Sequence, residues 1–230
     1  MKKKTRLLLI FSFAFFAIGK LSAQFSRPVS IGIGAGGTYA LTDLSNSGTN
    51  FSLYGELDYL INPFISIGLR GEKGKLKGSG YDSEFKNSIY AGNLNAKVRI
   101  GQFMKLNSNY SYYTLGASVL SKIVSNIYLG AGAGVIKNGI SRQVTPSYAE
   151  RIIDNGGEFA KDRSGFLFAV PLNIGFDMPF GRTLYGPQWA LNINYQHTLT
   201  NDNLDGIIFR RKDQYGFLSV GAKYAIFKRK

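Results

Sequence analysis

The amino-acid sequence predicts an all-β fold, an antiparallel up-and-down β-barrel of eight strands that crosses a membrane. Three observations carry this expectation. The chain opens with a segment patterned for export, no later apolar run approaches 18 residues, and several stretches alternate apolar with polar residues at a period of two.

The first element is the export segment. Lys2, Lys3, Lys4 and Arg6 supply a positive start, Leu7 to Ile18 an apolar run, and Leu21-Ser22-Ala23 a small-residue cleavage site before Gln24. A transmembrane helix needs roughly 20 apolar residues, and this run is too short to serve as one. Residues 1–23 are therefore expected to be a cleaved signal peptide, with 24–230 forming the barrel domain. No Cys follows the apolar run, so attachment through a lipidated Cys is excluded, and the chain contains none for a disulfide either.

Charge narrows the partners. The whole chain carries a formal +14, and the export segment holds five of its basic residues and no acid, which leaves +9. An exported chain of this sign meets anionic, phosphate-bearing lipid head groups and not nucleic acid.

The strands follow in order. Residues 29–41 place Val29, Ile31, Ile33, Ala35, Tyr39 and Leu41 outward, with Ser30, Gly32, Gly34, Gly36 and Thr38 inward. Residues 51–59 alternate Phe51, Leu53, Leu57 and Tyr59 with Ser52, Tyr54, Glu56 and Asp58. Residues 64–72 set Ile65, Ile67 and Leu69 against Ser66, Arg70 and Glu72. Residues 90–100 set Tyr90, Leu94, Ala96, Val98 and Ile100 against Asn93, Asn95, Lys97 and Arg99. A soluble two-sided core does not tolerate so many inward charges, whereas a barrel lumen does.

The second half repeats the theme. Residues 127–136 oppose Ile127, Leu129, Ala131, Ala133 and Val135 to three glycines, and inward glycines suit a narrow, crowded lumen. Residues 166–178 carry Phe166, Phe168, Val170, Leu172, Ile174, Phe176 and Met178 outward. Residues 189–199 alternate Trp189, Leu191, Ile193 and Tyr195 with Ala190, Asn192, Asn194 and Gln196. The last strand, 215–227, points Leu218, Val220, Ala222, Tyr224 and Ile226 outward. Eight is an even number, as bacterial barrels of this class require.

With both termini in the periplasm, the external loops are expected at 42–50, 73–88, 137–164 and 200–213, and tight turns at 60–63 and 180–188. The segment 101–126 is long for a periplasmic turn and rich enough in apolar residues for a further strand or a short covering helix. Ten strands would follow only if 137–164 also held one.

The final strand carries a more specific pattern. Ser219-x-Gly221-x-x-Tyr224-x-Ile226 has the polar-x-Gly-x-x-apolar-x-apolar form of a terminal strand read by barrel-assembly machinery. With the preceding Asn201-Asp202-Asn203-Leu204-Asp205-Gly206, the mature chain resembles the porin-like outer-membrane β-barrel domain family of Gram-negative bacteria. It departs from that pattern in the Lys228-Arg229-Lys230 tail. The resemblance implies fold and location, the cell outer membrane, and not an activity.

Motifs for chemistry are weak. Gly32-Ile33-Gly34-Ala35-Gly36-Gly37 fits a dinucleotide fingerprint in letters only, because it lies inside a strand with no helix after it. His197 is the chain's single His, with Thr198 and Thr200 as hydroxyl neighbours and no serine at a matching spacing. Asn201, Asn203, Asp205 and Gly206 fall at places 1, 3, 5 and 6 of a calcium loop, yet Lys212 stands where the twelfth-place carboxylate belongs. No catalytic residue, metal site or cofactor is therefore assigned. Arg210-Arg211-Lys212, with Lys73, Lys75 and Lys77, is read as outer-loop charge that is solvated or meets lipid phosphate.

The inward charges balance, with Glu56, Asp58, Glu72 and Asp177 facing Arg70, Lys97, Arg99 and Lys223. Eight strands leave room for side chains only, so these are expected to form a salt-bridged plug, with Arg70, Lys97 and Arg99 meeting Glu56, Asp58 and Glu72. The function expected is that of a non-enzymatic structural or interaction barrel. Its partners are outer-membrane lipid, the assembly machinery and an envelope protein. The alternatives are an accessory subunit of a secretion or assembly complex, a lipid-modifying barrel enzyme, and a narrow porin.

Overall fold

The structure, a computed structural model, describes residues 28–41, 46–79, 83–104, 119–155, 158–159, 164–180, 188–201, 204, 207–208 and 213–226. Eight long strands form the barrel: β1 (Val29–Leu41), β2 (Asn50–Asn62), β3 (Ile65–Ser79), β4 (Ser83–Arg99), β5 (Ile127–Val144), β6 (Ser164–Phe180), β7 (Trp189–Thr200) and β8 (Gln214–Ile226). Each pairs antiparallel with its sequence neighbour. The closing seam pairs β1 with β8 from Val29↔Ile226 to Leu41↔Gln214. Closure satisfies every strand's edge, which a sheet in hydrocarbon requires.

Alternation decides which face is which. Ile33, Phe51, Leu129 and Phe166 are 69%, 68%, 62% and 75% exposed on the outside, while Asp177, Asn192 and Gln196 are fully buried inside. The β2–β3 hairpin turns at Asn62-Pro63-Phe64, where Asn62 Oδ1 accepts from the amides of Phe64 and Ile65 at 2.8 and 2.7 Å. No strand besides these eight and three short pieces occurs among the described residues, so the ten-strand alternative falls away.

One expected loop proves to be largely strand and a second begins as strand and continues as helix. β3 runs on to Ser79 and β4 starts at Ser83, so most of 73–88 belongs to a hairpin that pairs as far as Ser79↔Glu84. β5 likewise continues to Val144 and is followed by helix α2 (Pro146–Asp154), begun by Thr145 and a first-turn Pro. At this end of the barrel the apolar side chains point inward. Leu76, Phe85, Ile89, Ile136, Leu167, Tyr215 and Phe217 form one buried cluster, while Lys73, Lys75, Lys77 and Lys137 point out. The expectation of a loop took polar outward residues as the mark of irregular structure. Here they are the exposed face of a continuous strand whose apolar residues have turned to the interior.

At the opposite end, Ile100–Phe103 forms a 3₁₀ turn and α1 (Val119–Ser125) a short helix. The 101–126 segment thus contains a short helix and no strand among its described residues, with 105–118 outside them.

Candidate functional site

The barrel interior has two levels, and register explains both. On the periplasmic side of the expected orientation, Gly32 of β1 pairs with Glu56 of β2 on one flank and Lys223 of β8 on the other. Lacking a side chain, Gly32 lets its neighbours close over it, and Lys223 Nζ lies 2.7 Å from Glu56 Oε1. Lys223 Nζ also meets Asp58 at 3.1 Å and Asp177 at 3.2 Å. Lys97 Nζ on β4 approaches Glu56 and Asp58 at 3.0 Å each, and Arg70 reaches Glu56 at 3.6 Å. These groups are buried and span the barrel from β2 through β8 to β6. Isolated charges out of water carry several kcal/mol of desolvation each, so a tightly mutual arrangement is the state in which they can persist.

The pairing differs from expectation in two places. Arg99 meets Asp177 of β6, Nη2 to Oδ2 at 3.0 Å, and not Glu56, Asp58 or Glu72. Glu72 takes hydrogen bonds from Gln196 Nε2 at 3.2 Å and the Tyr215 hydroxyl at 3.5 Å in place of an ion pair. Alternation tells which residues face inward but not their height along the axis. Glu72 sits above the ionic level, beside uncharged partners, and Arg99 sits below it beside Asp177.

A relay of amides and phenols fills the remaining cross-section. Tyr54 donates to Asn192 Oδ1 at 3.1 Å, and Asn192 Nδ2 donates to the Tyr128 hydroxyl at 2.9 Å and to Asp177 Oδ1 at 2.8 Å. Tyr128 donates to Asn194, which donates to Asn173, which donates to Asn95, at 3.1, 3.1 and 3.3 Å. The glycines of the Gly32–Gly37 stretch serve this packing: a Cβ on Gly34 would run into Tyr54 and the backbone of β8.

Arg70 divides the levels. Its guanidinium stacks on the Tyr54 ring at 3.8 Å, lies 5.3 Å from the Phe217 ring, and donates to Ser219 Oγ at 3.2 Å. Above it lies the apolar cluster, closed by Leu204 from the segment between β7 and β8. Leu204 is held by Asn87 Nδ2 on its carbonyl at 2.8 Å and by Asp213 Oδ2 on its amide at 2.6 Å. Sequence reading missed this upper level. Its signal was present in Leu76, Phe85 and Ile89, spaced to face one way across the β3–β4 hairpin.

The remaining candidates separate. His197 faces outward, its Nε2 2.7 Å from Gln214 Oε1 and its Nδ1 3.4 Å from the Tyr195 hydroxyl, whereas Thr198 and Thr200 face inward. The site brings His197 to no carboxylate or serine among the described residues. Asn203, Asp205, Gly206 and the basic run 210–212 lie outside the described residues, and among those described no group of His, Asp or Glu is arranged for a metal. In the terminal strand, Ser219 and Gly221 face the interior beside Gly36 and Gly34, while Tyr224 and Ile226 face outward.

The chain is similar to several solved structures. Neisserial surface protein A is 13% identical, with a TM-score of 0.47, over 88% of this chain and 100% of its own. The attachment invasion locus protein Ail of Yersinia pestis gives the same identity and TM-score over the same shares. OprG of Pseudomonas aeruginosa is 10% identical, with a TM-score of 0.39, over 87% of this chain and 98% of its own. No curated protein sequence matches the chain. The model of the outer membrane protein beta-barrel domain matches residues 8–225, nearly the whole length. A closed eight-stranded barrel, apolar outside and polar within, and this match agree: the chain belongs to the outer membrane protein β-barrel domain family.

Proposed function

We propose that this outer-membrane barrel is exported by its first 23 residues, holds both termini in the periplasm, and acts as a non-enzymatic structural and interaction protein with a plugged lumen. The observation that carries the plug is the ionic level, where Lys223 contacts Glu56, Asp58 and Asp177 from three strands. A water-filled path would have to part charges that hold one another. The interaction role draws on the external level, where strands β3 to β5 extend past the lipid belt around an apolar core and present a rigid polar collar to partners. This favours an accessory role in an envelope complex over an enzyme, since among the described residues His197 has neither a nucleophile nor an orienting acid beside it.

Recognition by assembly machinery is assigned to Ser219, Gly221, Tyr224 and Ile226. The test of the plug is planar-bilayer recording from purified protein, combined with outer-membrane fractionation and gel mobility with and without boiling. The expected outcome is an outer-membrane protein that runs faster unboiled and gives no large, stable openings. Stable multi-nanosiemens openings overturn the plug, and a soluble, heat-insensitive protein overturns the placement.

A further inference from the structure

Three outward-facing glycines stand side by side on adjacent strands. Gly55 of β2 pairs with Gly71 of β3, Gly71 with Gly92 of β4, and the row ends in Ile33 on one side and Val135 on the other. Nothing lies within 4 Å of where a side chain would start at Gly71 or Gly92. The result is an apolar groove of about 650 Å³ in the outer wall, floored by backbone and walled by Leu57, Leu69 and Leu94. An outward wall of large apolar groups needs no such gap for its own packing.

The rim on the external side has a different chemistry. The next outward row is Leu53, Lys73, Tyr90 and Lys137, and the row above it holds Lys75 and Ser88. Lys73 Nζ lies 5.3 Å from the Tyr90 ring centroid, which steers it along the wall. Lys73, Lys75 and Lys137 are all exposed, and neither row contains an acid on β2 to β5. Lys86, higher up, is already paired with Glu84 at 3.1 Å.

We propose that this groove and its rim bind one outer-leaflet glycolipid, an acyl chain lying across the three glycines and a head-group phosphate held by Lys73 and Lys137. The chemistry is complementary at both ends, since an acyl chain fills an apolar groove that would otherwise lack contacts and Lys73 and Lys137, with Lys75 in the row above, set positive charge at the level where head groups begin. The site rests on the orientation proposed above, which puts the lysine rim in the outer leaflet.

Native mass spectrometry of the full-length protein with bisphosphorylated lipid A tests it. One retained lipid A per barrel is expected in the wild type. Gly71→Phe fills the groove from an open position and places a strand-favouring residue in a strand, so the barrel persists while lipid A retention falls at least fivefold. Lys73→Gln with Lys137→Gln lowers retention to a similar degree, and lipid A stripped of its phosphates binds the wild type as weakly. Unchanged retention in either variant overturns the site, as does a mass showing a second copy of the chain in place of lipid. Loss of lipid A to millimolar inorganic phosphate alone also overturns it, since the acyl groove would then contribute nothing. Labelling of Lys77→Cys on intact cells, in a chain with no native Cys, reads orientation separately. Labelled protein without lipid sinks the site alone, and unlabelled protein sinks the orientation.

Discussion

Lys223 and Glu56 lie on strands that do not touch, yet their charged ends meet at 2.7 Å above Gly32, the residue with which each is in register. The contact exists because the strand between them offers no side chain. Gly32→Leu is expected to force the pair apart and destabilise the barrel by about 1–3 kcal/mol, the usual cost of overpacking. Urea titration in lipid vesicles, followed through the fluorescence of the single Trp189, measures it.

Arg99 closes the lower end of the ionic level through Asp177. Arg99→Ala leaves a fully buried carboxylate without that partner and is expected to cost about 3–5 kcal/mol. Lys77→Ala, on the wet face of the collar, should change stability by less than about 0.5 kcal/mol. Equal effects from the two would mean that the interior charges are hydrated.

The apolar level makes a separate claim. Phe85 is buried among Leu76, Ile89 and Ile136, and Phe85→Ala is expected to cost about 3–5 kcal/mol, as for a large side chain removed from a core. Asp213→Asn weakens the hold on the Leu204 amide, so protease should cut the 200–213 segment faster than in the wild type while the barrel stays intact. Unchanged cleavage would show that packing and the Asn87 hydrogen bond hold Leu204 without Asp213.

Replacing Tyr224 and Ile226 together with Asp puts two charges on the outward face of β8, at about 2 kcal/mol per site near the bilayer midplane and less near its edge. Membrane levels should fall sharply, as immunoblots of separated membranes will report. Wild-type levels would remove the assembly role given to this strand.

The eight strands were legible because lipid imposes a simple rule: outward residues such as Ile31, Leu57, Leu94 and Ile193 are apolar and their inward neighbours are not. The rule failed where its premise failed. Beyond Gly71, Lys73, Lys75 and Lys77 take the outward face, so a pattern of the same period in the opposite sense passed for loop. Inward orientation was legible for all eight charged residues, since each is buried. Partnership was not, because Arg99 and Asp177 are brought together by the pairing of β4, β5 and β6, a relation that no single strand contains. Nor does periodicity reveal the groove, which needs three glycines from three strands to fall in one row.

The reversal along β3, from Ile65, Ile67 and Leu69 to Lys73, Lys75 and Lys77 on one outward face, constrains more than sidedness. In a uniformly alternating barrel, a strand can slide by two residues past its neighbour and keep every side chain on its proper face. Here such a slide would carry Lys73 into hydrocarbon or lift Leu69 out of it, and would shift Leu76 out of its apolar level. The strand is therefore pinned in height as well as in face, so the stagger that determines the barrel's diameter is written into the switch of chemistry at Gly71.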